Sequence, residues 1–181
     1  FVLMIQRIVK RLDPLPPKSK LIIFGGGFSG QRIASVGRLL GAEVLCSRRT
    51  ENSKGADFVF NTDKEVSNRI FDGATHVLSC IPPLISGEDP VLNQLKTQLL
   101  NSKNLKWVGY LSTTGVYGDT KGEWVNENSS PNPQQARSIR RFSCEKQWLE
   151  TKLPVQILRL PGIYGPGRSA FESLLTGTVK M

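Results

Sequence analysis

The chain has 181 residues, 39% of them hydrophobic and 22% charged, with a formal net charge of +9. That length fits one domain, or one domain with a fragment of another, and it is enough to hold a core without metal or disulfide. The composition excludes disordered, collagen-like and coiled-coil classes, and no apolar run approaches the ~18 residues of a membrane-spanning helix. The apolar stretch at 1–5 is too short for the core of a secretion signal. Cys46, Cys80 and Cys144 form no CxxC pair, and His76 is the sole histidine. No zinc site or disulfide framework is therefore expected, no metal is assigned, and a reducing cytoplasm is the expected compartment. The positive charge either solubilises the surface or favours anionic partners, phosphates and nucleic acid among them.

Residues 1–13 predict a short amphipathic helix, which Pro14, Pro16 and Pro17 end. Residues 1–19 thus read as a basic segment and a proline-rich linker. Residues 21–24, Leu-Ile-Ile-Phe, predict a buried strand. Ile33, Val36, Leu39 and Leu40 recur at helical spacing over 29–40, and Gly41 is placed to stop that helix. Strands follow at 43–46 and 57–60. Asp63 is placed to cap a short helix reaching Phe71, or else to reach an adenine. A fourth strand, 76–81, stops at Pro82-Pro83, and a helix lies within 88–101. The fifth strand is 107–111, a polar loop runs to Pro133, a helix covers 134–151, and a sixth strand spans 155–159. His76, at the start of a strand, and Trp124 and Trp148 read as structural residues.

These strand runs are continuously apolar rather than alternating, as in strands covered on both faces. The chain is expected to be an α/β protein, a Rossmann-like doubly wound parallel sheet of about six strands with flanking helices. Ligands of such sheets sit beyond the carboxyl ends of the strands. Directly after the first strand, Gly25, Gly27 and Gly30 match G-x-G-x-x-G, with Phe28 and Ser29 inside the pattern. One glycine makes the tight turn, the next lets a pyrophosphate approach the backbone, and the last lets helix and strand pack closely. The helix N-terminus then offers unpaired N–H groups to the phosphates. A dinucleotide-binding domain over 20–167 is the reading.

The second strand ends in Ser47-Arg48-Arg49, where an NAD site places Asp or Glu for the ribose 2′-hydroxyl. Guanidinium groups suit a 2′-phosphate by charge and geometry, so NADP(H) is expected over NAD(H). Ser79, Cys80 and Ile81, after the fourth strand, are expected to line the cofactor cleft. Cys80 is read as a small apolar group rather than a nucleophile.

Three later segments resemble the extended short-chain dehydrogenase/reductase family, the epimerase/dehydratase-like branch. Residues 112–118, STTGVYG, look like its S-S/T-x-x-VYG segment. Glu127, Pro131 and Pro133 fall at an E-x-x-x-P-x-P spacing. Residues 158–167, LRLPGIYGPG, are close to its LRxxxxYGPG segment. The resemblance implies that Thr113 polarises a substrate oxygen. It also implies a Tyr-x-x-x-Lys pair on the next helix, for proton transfer and for the nicotinamide ribose. Aligning on Glu145 puts Arg137 and Arg141 at those positions; a second register puts Phe142 and Lys146 there. Neither supplies a tyrosine, and arginine stays protonated, so it is no general base near neutrality. Arg141 is kept as a ribose donor. Tyr117 is read as packing.

Family members continue well past this point into a substrate lobe, of which 168–181 is at most the start. Three functions stay open. The first is an NADP-dependent oxidoreductase or epimerase-like enzyme on a nucleotide sugar, with an atypical active site. The second is a non-catalytic NADP(H)-binding sensor or assembly factor. The third is an RNA-binding protein on the same fold, motivated by the net charge and by Arg137, Arg140 and Arg141 at helical spacing. No membrane association is expected, and a homodimer is an open assembly.

Overall fold

The computed structural model describes residues 2–51, 54–169 and 174–177. Of the segment expected to open a substrate lobe, 170–173 and 178–181 lie outside the described residues. The elements run α1 (Val2–Val9), β1 (Lys20–Phe24), α2 (Phe28–Leu39), β2 (Glu43–Arg48), β3 (Phe58–Val59), β4 (His76–Ser79), α3 (Pro90–Asn101), β5 (Trp107–Thr113), α4 (Ala136–Leu149) and β6 (Val155–Leu160). The six strands form one sheet in the order β3-β2-β1-β4-β5-β6, and every neighbouring pair is parallel. From β1 the chain winds first one way and then the other. The change of direction lies between β1 and β4, where such sheets bind ligands.

Strand periodicity explains how one apolar run fills two layers. Successive side chains of β1 point to opposite faces. Ile22 and Phe24 join Val77, Val108 and Tyr110 under α3 and α4. Leu21 and Ile23 join Val44, Cys46, Leu78 and Leu111 under α2. The strands are apolar throughout because both faces are covered. Gly41, at φ +90°, ends α2 in a left-handed turn, and the Gly41 and Ala42 amides donate back to Arg38 and Gly37.

A buried carboxylate, Asp89, ties α3 to α4. Asp89 caps α3: its Oδ1 accepts from the Val91 and Leu92 amides at 2.9 and 3.0 Å. Its Oδ2 accepts from Trp148 Nε1 at 2.9 Å, so the fully enclosed indole is both core packing and a hydrogen-bond donor. Burial pushes the Asp89 carboxyl above the usual aspartate range, against the pull of these hydrogen bonds. His76 is held by Thr75, Oγ1 to Nδ1 at 2.7 Å, and burial, with Lys106 nearby, lowers its pKa.

The sheet departs from expectation at its β3 edge. Only Phe58–Val59 ladders with Ser47–Arg48, because Asp57 meets the Cys46 N–H with its carboxylate (2.8 Å) and turns the same oxygen to Arg38 (2.7 Å). The helix expected from Asp63 is replaced by a single 3-10 turn, Asn68–Phe71, capped by Ser67. Asp63 instead folds into its own loop, its amide donating to Asn61 Oδ1 and its carboxylate accepting from Thr62. Trp124 is 99% exposed and packs no core, contrary to the structural reading. Among the described residues, no helix is long and apolar enough to cross a membrane.

Candidate functional site

A cleft of about 800 Å³ opens at the carboxyl ends of β1, β2, β4 and β5. Its floor is 25–30, the turn between β1 and α2. Gly25 takes φ +96°, and β2 braces the turn from the side. The Gly25 amide donates to Ser47 Oγ at 2.9 Å and the Gly26 amide to the Ser47 carbonyl at 2.7 Å. Ser47 is buried, and its hydroxyl oxygen shapes the loop by accepting from Gly25. Gly27 is the N-cap of α2 and offers no side-chain cap, so no capping side chain competes for the first amides of the helix, and Phe28, Ser29 and Gly30 line the cleft.

The three pattern glycines have separate physical reasons. A Cβ on Gly30 would overlap the Gly25 carbonyl oxygen and lie 3.3 Å from Ile23. A Cβ on Gly25 would lie 3.0 Å from Ile81, under strain from its backbone angle. A Cβ on Gly27 would meet nothing within 4 Å. Gly30 is small so that α2 can pack on β1; Gly27 borders open space, where no protein atom stands within 4 Å of a Cβ.

Arg48 and Arg49 stand at the β2 end of the same cleft, with Thr50 beside them and Asn61, Thr62 and Asp63 opposite. Arg48 is half-buried. Its Nη2 reaches the Lys54 carbonyl at 3.4 Å, and its Nε is buried without a hydrogen-bond partner. Arg49 is exposed.

The β4 and β5 ends form the far wall, with Cys80, Ile81, Pro82, Pro83, Leu111 and Ser112. Ser79 is not part of it. As the last residue of β4 it pairs with Phe24 and Tyr110 in the sheet, fully buried, with its hydroxyl unpartnered. Arg141 reaches the cleft from α4, and its Nη1 donates to the carbonyls of Ile81 (3.0 Å) and Leu111 (3.1 Å) and to the Tyr110 hydroxyl (3.2 Å). Thr113 lies just outside the lining. Its Oγ1 accepts from the Gly115 amide at 3.1 Å, capping the 3-10 turn Thr114–Tyr117. Arg137 is exposed and donates to Gln135, while Lys146 sits over the Phe142 ring at 4.6 Å. None of Arg137, Phe142 and Lys146 lines the cleft, and neither does any tyrosine. The arginine cluster on α4 is therefore split: Arg137 faces water while Arg141 is committed to carbonyls inside the fold.

Ser112, on the cleft wall, donates to the carboxylate of Glu145, which is 1% exposed. Arg159 of β6 closes the other side of that carboxylate through Nε and Nη2, the latter at 2.8 Å. It also lies 4.8 Å from the Tyr117 ring, and these contacts hold its pKa above the ordinary arginine value. In the sequence Glu145 serves only as an alignment mark, and no spacing rule pairs it with Arg159. Arg168 lines the cleft as well, from beyond β6.

All three thiols are raised, chiefly by burial: Cys46 upward, Cys80 to about 12 and Cys144 to about 11. A raised thiol stays protonated, and the thiolate is the nucleophile. An aromatic disulfide reagent at about pH 8 is expected to titrate no cysteine in the folded chain and three in urea. A fast-reacting Cys80 in the native chain would contradict the apolar reading of that residue.

No family model matches the sequence, and no curated protein matches it. Solved structures do. A conserved protein of unknown function from Silicibacter pomeroyi is 36% identical, with a TM-score of 0.77 over 86% of this chain. A protein from Methylobacillus flagellatus, provisionally assigned as an NAD-dependent epimerase/dehydratase, is 26% identical with a TM-score of 0.68 over 83%. The fold is the Rossmann-like fold of epimerase and dehydratase structures. UDP-glucuronic acid 4-epimerase from Bacillus cereus, in complex with NAD, shares it at 19% identity and a TM-score of 0.67 over 88% of this chain. The chain spans 57%, 56% and 63% of the lengths of these three relatives.

Proposed function

We propose that this chain binds NADP(H) in the cleft and forms, over 20–167, the cofactor-binding part of an oxidoreductase of the epimerase/dehydratase type acting on a nucleotide sugar. The observation that carries the reading is the open face of Gly27 beside the uncapped N-terminus of α2. Such a terminus presents amides and a partial positive charge to a pyrophosphate. The residues present fit the group. The loop is shaped from behind by Ser47, so its outer face is left for phosphate oxygens. Arg48, with a buried Nε lacking a partner, is placed to take the 2′-phosphate, and Arg49 adds its charge from the exposed side. The NAD in the Bacillus cereus complex belongs to that protein; the arginine pair favours NADP(H) in this one.

When bound, the nicotinamide supplies hydride acceptance or donation. Thr113 Oγ1 accepts from the Gly115 amide and so keeps its own proton to donate to a substrate oxygen. Arg141, held by Ile81 and Leu111, carries a fixed positive charge where a ribose hydroxyl would accept. A second reading, cofactor binding without dehydrogenase chemistry in a sensor or assembly factor, is favoured by α4: it carries no tyrosine, and Arg137 faces water.

Calorimetric titration with NADPH and with NADH tests the reading. NADPH is expected to bind about tenfold or more tightly, as for a phosphate gaining charge-assisted hydrogen bonds. Arg48→Ala should erase the difference. Tighter NADH binding overturns the preference, and binding of neither overturns the reading. Turnover by the whole protein that is lost in Thr113→Ala supports the enzyme; hydride transfer at any rate rejects the second reading.

A further inference from the structure

Beyond Leu160 the chain turns back across the mouth of the cleft. Gly165 and Arg168 exchange backbone hydrogen bonds at 2.9 and 2.8 Å, closing a tight turn. That turn is docked on the first turn of α2, and Phe28 is the joint. A Cβ on Gly165 would lie 2.9 Å from Phe28 Cζ. The Arg32 guanidinium sits 3.4 Å from the centre of the Phe28 ring, donates from Nη1 to the Phe28 carbonyl at 2.8 Å, and reaches from Nη2 to the Pro166 carbonyl at 3.1 Å. Arg168 approaches the same ring, its guanidinium 5.4 Å from the centre, while its Nε donates to the Ile163 carbonyl at 3.0 Å.

Arg168 is thus oriented twice, by Nε on Ile163 and by its face on Phe28. Its two terminal nitrogens make no hydrogen bond among the described residues, and the side chain lines the cleft whose floor is the glycine loop. An arginine held this way keeps a forked pair of donors with little rotamer freedom left to lose. Such a fork matches phosphate oxygens. It also brings a full positive charge into the cleft beside the first turn of α2, whose amides carry only partial charge.

We infer that Arg168 is an anion-binding residue of this site, taking the pyrophosphate of the dinucleotide together with the α2 amides. This rests on the cofactor reading given above. The turn at 165–168 then acts as a strap, anchored on Phe28.

The test uses the whole chain and reads binding rather than turnover. NADPH is titrated, and adenosine 2′-monophosphate, which lacks the pyrophosphate, is measured by competition against it. Arg168→Ala is expected to weaken NADPH about tenfold and to flatten the dependence of its affinity on salt. Binding of adenosine 2′-monophosphate and the urea midpoint are expected to stay unchanged. Gly165→Val, which drives the turn off Phe28 with Arg168 intact, is expected to weaken NADPH as well. Wild-type NADPH affinity in Arg168→Ala overturns the inference and leaves the cofactor reading standing. An equal loss for both ligands also overturns it, since it would mark Arg168 as a structural brace. A wild-type chain that binds no dinucleotide removes the cofactor reading itself, and the inference with it.

Discussion

Replacing Glu145 with alanine is expected to lower the unfolding free energy by about 3–5 kcal/mol, the usual cost of breaking a buried pair from one side. The carboxylate is 1% exposed and accepts from Ser112 of β5 and from Arg159 of β6, while its own backbone belongs to α4. One side chain therefore ties two strands to the helix above them. Its removal leaves the Arg159 guanidinium, whose side chain is 19% exposed, beside a cavity and the Tyr117 ring. It also leaves the Ser112 hydroxyl, a cleft-lining group, without its acceptor. Urea titration at constant slope measures the loss. The double variant Glu145→Leu with Arg159→Met is expected to regain much of it, because apolar replacement of both partners removes the desolvation cost along with the attraction. A single Glu145→Ala change costing under ~1 kcal/mol, the range of an exposed pair, would show that water screens the cluster.

That cluster marks where sequence reasoning stops. The strands of this fold are written in local runs: Leu21 to Phe24 or Trp107 to Leu111 need no knowledge of the rest of the chain to be read as covered on both faces. The glycine loop is legible for the same reason, being one contiguous stretch between a strand and a helix. The pairing of Glu145 with Arg159, or of Trp148 with Asp89, joins residues from different elements, and nothing in the local context of either residue names its partner. Arg137 and Arg141 show the limit most plainly. They are the same residue on the same helix, one turn apart, yet one points to water and the other is anchored to the ends of β4 and β5. Only the packing angle of α4 on the sheet separates them. Asp63 and Ser67 compete in the same way, both being good capping residues, and the structure uses Ser67 because the turn begins where Phe71 reaches the core. Arg168 carries no local signal at all; its place over the cleft depends on how the turn after β6 folds back on Phe28.

The glycine loop makes the second large prediction, because two of its glycines should fail in opposite ways. Gly30→Ala is expected to damage the fold. Its Cβ would overlap the Gly25 carbonyl oxygen, a backbone atom that no rotamer change can move, so α2 must lift from β1. Overpacking of this kind costs about 1–3 kcal/mol, and the loop geometry is lost with it. Gly27→Ala is expected to leave the fold intact, since φ −73° is ordinary for alanine and its Cβ meets no protein atom within 4 Å. Its stability should fall by no more than about 1 kcal/mol, the cost of alanine in place of glycine as the N-cap of α2. The added methyl group would stand in the space proposed for the pyrophosphate, so NADPH affinity should fall about tenfold or more, the loss of one charge-assisted contact at the loop. Urea titration and calorimetry on the two variants separate the cases. A Gly27→Ala chain that binds NADPH like wild type would mean that the open side of the loop does not face the phosphates. The bare N-terminus of α2 would then need another occupant. If the same chain were instead as unstable as Gly30→Ala, the affinity it lost would report the fold and not the ligand. The contrast between the two variants therefore carries the test, and neither carries it alone.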